Sequence, residues 1–220
     1  MRCDVRIHRK EPRMNPSDSG EGVVDRNQML HIAMISALVW LTLGSLIIWF
    51  TADTDFLGIL QEGQPFALQL AGGITAGAIM GYAGVKLMQV PALREVAEQF
   101  GIVRIIKEAR LTRKDGIYIS VSAGISEEWL FRAAILPLAG LTISTVLFVL
   151  VHGYIKFSSR AHVFFALFML LLSLVLGLLF LYQGIFAAMA AHAVYDMAAF
   201  YGIRQHLPEQ EENGAAPLES

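Results

Sequence analysis

Six apolar stretches, at about 28–50, 65–89, 116–136, 141–157, 161–182 and 184–203, constrain this chain more than any other feature. Most have the roughly 20 residues needed to cross the hydrocarbon core of a bilayer as a helix. Hydrocarbon offers backbone N–H and C=O groups no water to bond, so stretches of this length fold as helices. The expected fold is therefore all-α, a polytopic transmembrane helical bundle of about six spans. Hydrophobic residues make up 55% of the chain and charged residues 16%, and mean hydropathy is +0.53, outside the range of ordinary soluble domains. One further segment, about 93–111, sets Leu93, Val96, Phe100, Val103 and Ile106 on one side and mostly charged residues on the other. It reads as an amphipathic helix lying in the membrane interface.

Lysine and arginine fix an expected orientation. Arg2, Arg6, Arg9, Lys10, Arg13 and Arg26 precede the first span, and Arg94, Arg104, Lys107, Arg110, Arg113 and Lys114 fill the connection between spans two and three. Lys86, Lys156, Arg160 and Arg204 fall at the remaining ends of the same side, while 51–64, 137–140 and 182–184 contain neither residue. Both termini are expected to be cytoplasmic. The division is a polar cytoplasmic segment at 1–27, a membrane domain at 28–204 and an acidic, disordered tail at 205–220. With the first 27 residues polar and the first apolar run long enough to stay in the membrane, no signal peptide is expected. Short loops and short length suggest a bacterial cytoplasmic membrane. The basic residues are dispersed among loops, so a net charge of -2 gives no reason to expect a nucleic-acid partner. Cys3 is the sole cysteine, which excludes an intrachain disulfide and a cysteine-ligated zinc site.

Against this apolar background, spans three, four and six carry Glu127, Glu128 and Arg132, then His152, then His192 and Asp196. A charged side chain at the bilayer centre costs roughly 2.5 to 3.5 kcal/mol on insertion scales, so such groups persist where they face one another or a water-filled cavity. At 1.5 Å of rise per residue, Glu127 and His192 lie roughly 16 and 18 Å from the cytoplasmic ends of their helices, and Asp196 and His152 roughly 12 and 6 Å. That depth predicts a pocket opening toward the cytoplasm. Glu128 and Arg132 are four apart and share a helix face suited to an ion pair. Glu127 points about 100° away and is left free for general-base work. Phe148 and His152 share a face of a short apolar helix. His192 and Asp196 are spaced so that the carboxylate can accept the imidazole N–H and fix its tautomer. Each set alone also fits a structural ion pair, an interfacial histidine or a proton relay; together they supply what hydrolysis needs.

The ordered set Glu-Glu-x3-Arg, Phe-x3-His and His-x3-Asp resembles the CAAX protease and bacteriocin-processing family of intramembrane endopeptidases, over about 116–201. The resemblance implies a glutamate-dependent peptidase in which Glu127 and His152 activate water. It matches His192 and Asp196 to positions that stabilise the oxyanion, and Arg132 to the arginine that orients Glu128. Asp196 stands where eukaryotic members carry asparagine, and an ionised aspartate donates no hydrogen bond: either its buried setting keeps it protonated or, the preferred expectation because it requires no large pKa shift, it orients His192, which then acts as the donor. Eukaryotic members have eight membrane helices against about six here. The expected substrate is a membrane-proximal peptide or lipid-modified protein in contact with the lipid bilayer. No cofactor is expected, although Glu127, His152 and His192 could supply the ligands of a catalytic zinc site. A non-catalytic bacteriocin-immunity or membrane scaffold protein of the same fold is the alternative, and a small transporter or proton channel a weaker one, since no internal repeat is evident. Gly73, Gly77 and Gly81 recur every fourth residue, which predicts close approach of another helix, within or between subunits.

Overall fold

A computed structural model describes residues 25–51, 56–100, 103, 109 and 111–206. The described secondary structure is helical throughout. In chain order the helices are α1 (Arg26–Thr51), α2 (Phe56–Gln61), α3 (Phe66–Leu87), α4 (Pro91–Glu98) and α5 (Arg113–Glu128). A π-helical segment (Trp129–Ile135) leads into α6 (Leu136–Val151), and α7 (Arg160–Gln183) and α8 (Ile185–His206) complete the bundle. Four helical segments are long and apolar enough to cross a membrane: Arg26–Thr51, Phe66–Leu87, Arg113–Val151 and Arg160–Gln183. The third of these bends at Gly140, where φ is +81°. The chain is a polytopic membrane bundle, as its apolar runs require.

Local chemistry explains where the helices begin. Asp25 and Gln28 exchange side-chain-to-backbone hydrogen bonds of 2.9 and 3.0 Å around the start of α1. Thr112 and Asp115 form a capping box at the start of α5, satisfying N–H groups that have no helical partner. Arg26 joins the two caps by donating to both oxygens of Asp115 at 2.6 Å. Pro91 opens α4 at a position where its missing N–H costs nothing, and Ser159 caps α7.

Helix α8 is the axis of the bundle, packed between α3 and α5 and also touching α7. Glycines make this possible. A Cβ at Gly73 or Gly77 would run into the backbone carbonyl of Ala187 or Ala191, and one at Gly81 would lie 2.6 Å from the Cβ of Ala198. From α5, a Cβ at Gly124 would come within 2.9 Å of the Met189 carbonyl. The glycine repeat of the second apolar run therefore serves contact within the subunit, and it fixes the axial position of His192 and Asp196. At the far end of the bundle the buried Gln69 carboxamide donates to the Glu62 and Gln64 carbonyls and accepts from the Phe186 N–H, tying α3 to α8.

One expectation changes. The fourth apolar run was expected to be helical over 141–157, but α6 stops at Val151, because Gly153 adopts φ +70° and turns the chain. Of the amphipathic helix expected over 93–111, α4 carries Leu93, Val96 and Ala97 buried and Val103 is helical and buried; most of the remainder lies outside the described residues, as do 1–24 and 207–220. Helix α2 falls in the connection left without structure in the sequence reading.

Candidate active site

The π segment starts directly after Glu128. Its extra residue per turn rotates Trp129 to Ala134 into buried positions, and such segments frequently accompany functional sites. Arg132, fully buried, donates from Nη1 to Glu128 Oε1 at 3.0 Å and from Nη2 to the carbonyl and Oγ of Ser173, both at 2.9 Å. Its guanidinium also lies 4.6 Å from the centre of the Phe148 ring, a favourable cation–π distance. One arginine thus links the π segment, α6 and α7. The expected pairing of Glu128 with Arg132 is present; Ser173 gave no signal in the sequence.

Phe148 organises both histidines. Its ring centre is 4.5 Å from that of His152 and 5.7 Å from that of His192. His152 occupies the end of α6 rather than its body, and its Nδ1 bonds the Phe148 carbonyl at 2.7 Å. A carbonyl only accepts, so Nδ1 carries a proton. Nε2 then points to Glu127 Oε2 at 3.2 Å.

His192 departs from the expected arrangement. Its Nδ1 bonds Glu128 Oε1 at 2.7 Å, whereas Asp196 Oδ2 lies 3.5 Å from Nε2. Glu128, not Asp196, fixes the tautomer. The reason is geometric: α5 packs so closely on α8 through Gly124 that Glu128 reaches the ring first. Nε2 faces Asp196 and, at 3.9 Å, Glu127. All six sequence candidates are therefore brought together by α5, the π segment, α6 and α8. Among the described residues, no three His, Cys, Asp or Glu side chains are arranged to hold a metal ion.

Glu127, His152, His192 and Asp196 line one side of a cavity of about 540 Å³ whose other walls are largely apolar, including Trp40, Met88 and Phe168. The cavity runs toward the end of the bundle where Arg26 meets Asp115 and Arg204 donates to the Leu111 carbonyl. Lys156 lies at that end as well, 4.9 Å from the centre of the Phe100 ring.

With the glutamates, histidines and arginine in one cluster, comparison with known families is informative. Residues 114–198 match the family model described as type II CAAX prenyl endopeptidase Rce1-like. Over these residues the chain is similar to that family. The match spans α5 to most of α8 and so contains all six candidate side chains. No curated protein and no solved structure matches the chain. The four apolar helices mark an integral membrane protein, and the part of it that carries the cluster is similar to CAAX-type intramembrane proteases.

Proposed function

We propose that the protein is a metal-free intramembrane endopeptidase in which Glu127 and His152 act as an acid–base pair on water. One observation carries this reading. The Phe148 carbonyl holds the proton of His152 on Nδ1, leaving Nε2 and the Glu127 carboxylate face to face at 3.2 Å. A single proton between them removes the lone-pair repulsion of so close an approach, and we take the imidazolium–carboxylate form as the resting state.

In the proposed reaction, Glu127 takes a proton as water attacks the peptide carbonyl and the C–O bond forms. His152 gives its Nε2 proton to the amine nitrogen as the C–N bond breaks, and the proton on Glu127 then restores His152. His192, with Nδ1 fixed by Glu128 and Nε2 turned to the cavity, supplies a charged donor for the oxyanion. Arg132 holds Glu128 in place through its bond to Oε1. Asp196 Oδ2, 3.5 Å from Nε2, helps to orient the ring.

The substrate is proposed to be a membrane-proximal or lipid-modified peptide, reaching the site from the basic end of the bundle. That end collects Arg26, Lys156 and Arg204, which supports a cytoplasmic position for it and for both termini. A bacterial cytoplasmic membrane fits the short loops.

The test compares the amino and carboxyl termini of membrane proteins in cells carrying the wild-type chain or Glu127→Gln at matched levels. New termini confined to wild type are expected and would identify the substrate. Identical termini would overturn the peptidase reading in favour of binding or immunity. Purified protein with a chelator, then with added zinc, tests the metal-free mechanism: activity should survive the first and gain nothing from the second.

A further inference from the structure

The oxyanion site as described has one donor. His192 Nε2 faces it, and Asp196 Oδ2, 3.5 Å from that nitrogen, belongs to a carboxylate that cannot give a second hydrogen bond when ionised. Tetrahedral intermediates are generally stabilised by more than one preorganised donor. The cavity wall offers a group not yet assigned.

Tyr154 lies two residues beyond His152, and the turn between them is specific. The Gly153 N–H donates to the Leu150 carbonyl at 2.9 Å and the Tyr154 N–H to the Val149 carbonyl at 3.2 Å. With Gly153 at φ +70°, this is a complete Schellman turn. It folds the Tyr154 ring back onto His152, with centres 5.4 Å apart and planes within 16°. Phe100 and Phe165 hold the ring edge-on from the other sides, at 5.0 and 5.8 Å. The ring is thus held by three aromatic neighbours, one stacked and two edge-on.

Tyr154 lines the same cavity as Glu127, His152, His192 and Asp196, and its hydroxyl lies in the field of Asp196 and Glu127. Among the described residues the hydroxyl has no hydrogen-bond partner. The neighbouring Tyr195 is different: its hydroxyl is engaged with Met169 Sδ at 3.7 Å, turned toward α7.

We infer that Tyr154 is a further catalytic residue, its hydroxyl donating to the oxyanion alongside His192 and doing what Asp196 cannot. No covalent bond to Tyr154 forms, and its proton stays on the phenol. The inference rests on the peptidase reading, and its test separates the two. Wild type, Glu127→Gln and Tyr154→Phe are purified in lipid–detergent micelles and offered pools of internally quenched peptides carrying a palmitoyl chain. A peptide cleaved by wild type and not by Glu127→Gln is taken for kinetics.

Removing one oxyanion donor lowers kcat by roughly 10² to 10³. Tyr154→Phe should therefore lose about 100-fold in kcat, with KM within about twofold and an unchanged melting temperature. If wild type cleaves and Tyr154→Phe retains kcat, or changes KM alone, the Tyr154 assignment is overturned while the peptidase reading stands. If wild type and Glu127→Gln are alike on every pool, the peptidase reading itself fails and takes the assignment with it. Should Tyr154→Phe disturb the fold, fluorinated tyrosines at position 154 keep the ring and vary its acidity; kcat should follow that acidity, and a rate indifferent to it overturns the assignment.

Discussion

At the scale of single residues, the site is held by groups that do no chemistry. Arg132 is the clearest. Breaking a buried ion pair from one side costs about 3 to 5 kcal/mol, because the partner keeps its charge without compensation. Arg132→Met should lower stability by that amount in denaturant titrations in micelles. The double variant Glu128→Met, Arg132→Met removes both charges and should recover most of the loss, yet remain inactive, since nothing then fixes Nδ1 of His192. Gly153 has a different importance: a Cβ there meets no atom within 4 Å, so the constraint is its φ of +70°. Gly153→Ala should cost about 1 to 2 kcal/mol from the left-handed backbone alone. A larger effect is expected on kcat than on binding, because His152 and Tyr154 are both aimed by that turn.

At the scale of elements, α3, α5 and α8 fit together through removed side chains. Gly77→Val should destabilise by about 1 to 3 kcal/mol through overpacking and shift His192, with melting temperature and kcat falling together. A variant that melts lower but keeps full kcat would show that α8 tolerates displacement without moving the site. This scale was legible in the sequence to the extent that hydrophobicity marks it. The first, second, fifth and sixth apolar runs became α1, α3, α7 and α8 with bounds shifted by three residues or fewer. The runs end where hydrocarbon ends, and that is a property of composition. The end of α6 was misjudged because Ile155 and Phe157 continue the apolar run past a glycine whose backbone geometry composition does not reveal. The Thr112-x2-Asp115 spacing carries the start signal of α5 in the sequence itself. The partner of His192 could not be read, since i to i+4 spacing points to Asp196 while the α5–α8 packing distance decides for Glu128.

At the scale of the whole molecule, α1 packs on α5 and on the π segment, and Arg26–Asp115 pins one end of it. The ion pair sits roughly 18 Å along α5 from Glu127 by helical rise. Arg26→Ala is accordingly expected to lower the melting temperature and make α1 more sensitive to added protease, while kcat on a cleaved peptide stays within about twofold. A large fall in kcat would instead make the attachment of α1 part of the catalytic cycle.

The shortness of α6 carries a consequence for the membrane itself. From Leu141 to Val151 it is roughly 16 Å long by helical rise, about half of a hydrocarbon core. It lies antiparallel to α7, with Leu141 beside Gly177 and the Thr145 carbonyl accepting from the Ser173 hydroxyl, so it stops well before α7 begins at Arg160. The non-helical stretch that follows cannot face lipid with its N–H and C=O groups unpaired; α4, packed on α7 with Phe100 over Tyr154, covers part of it, and water must reach the rest. Two glycines with positive φ, Gly140 at the bend within α6 and Gly153 just past its end, bracket the 141–151 part of the helix. Their separation along the chain sets how far into the bilayer a polar reaction can be carried, much as the length of a well shaft sets the depth at which it meets water.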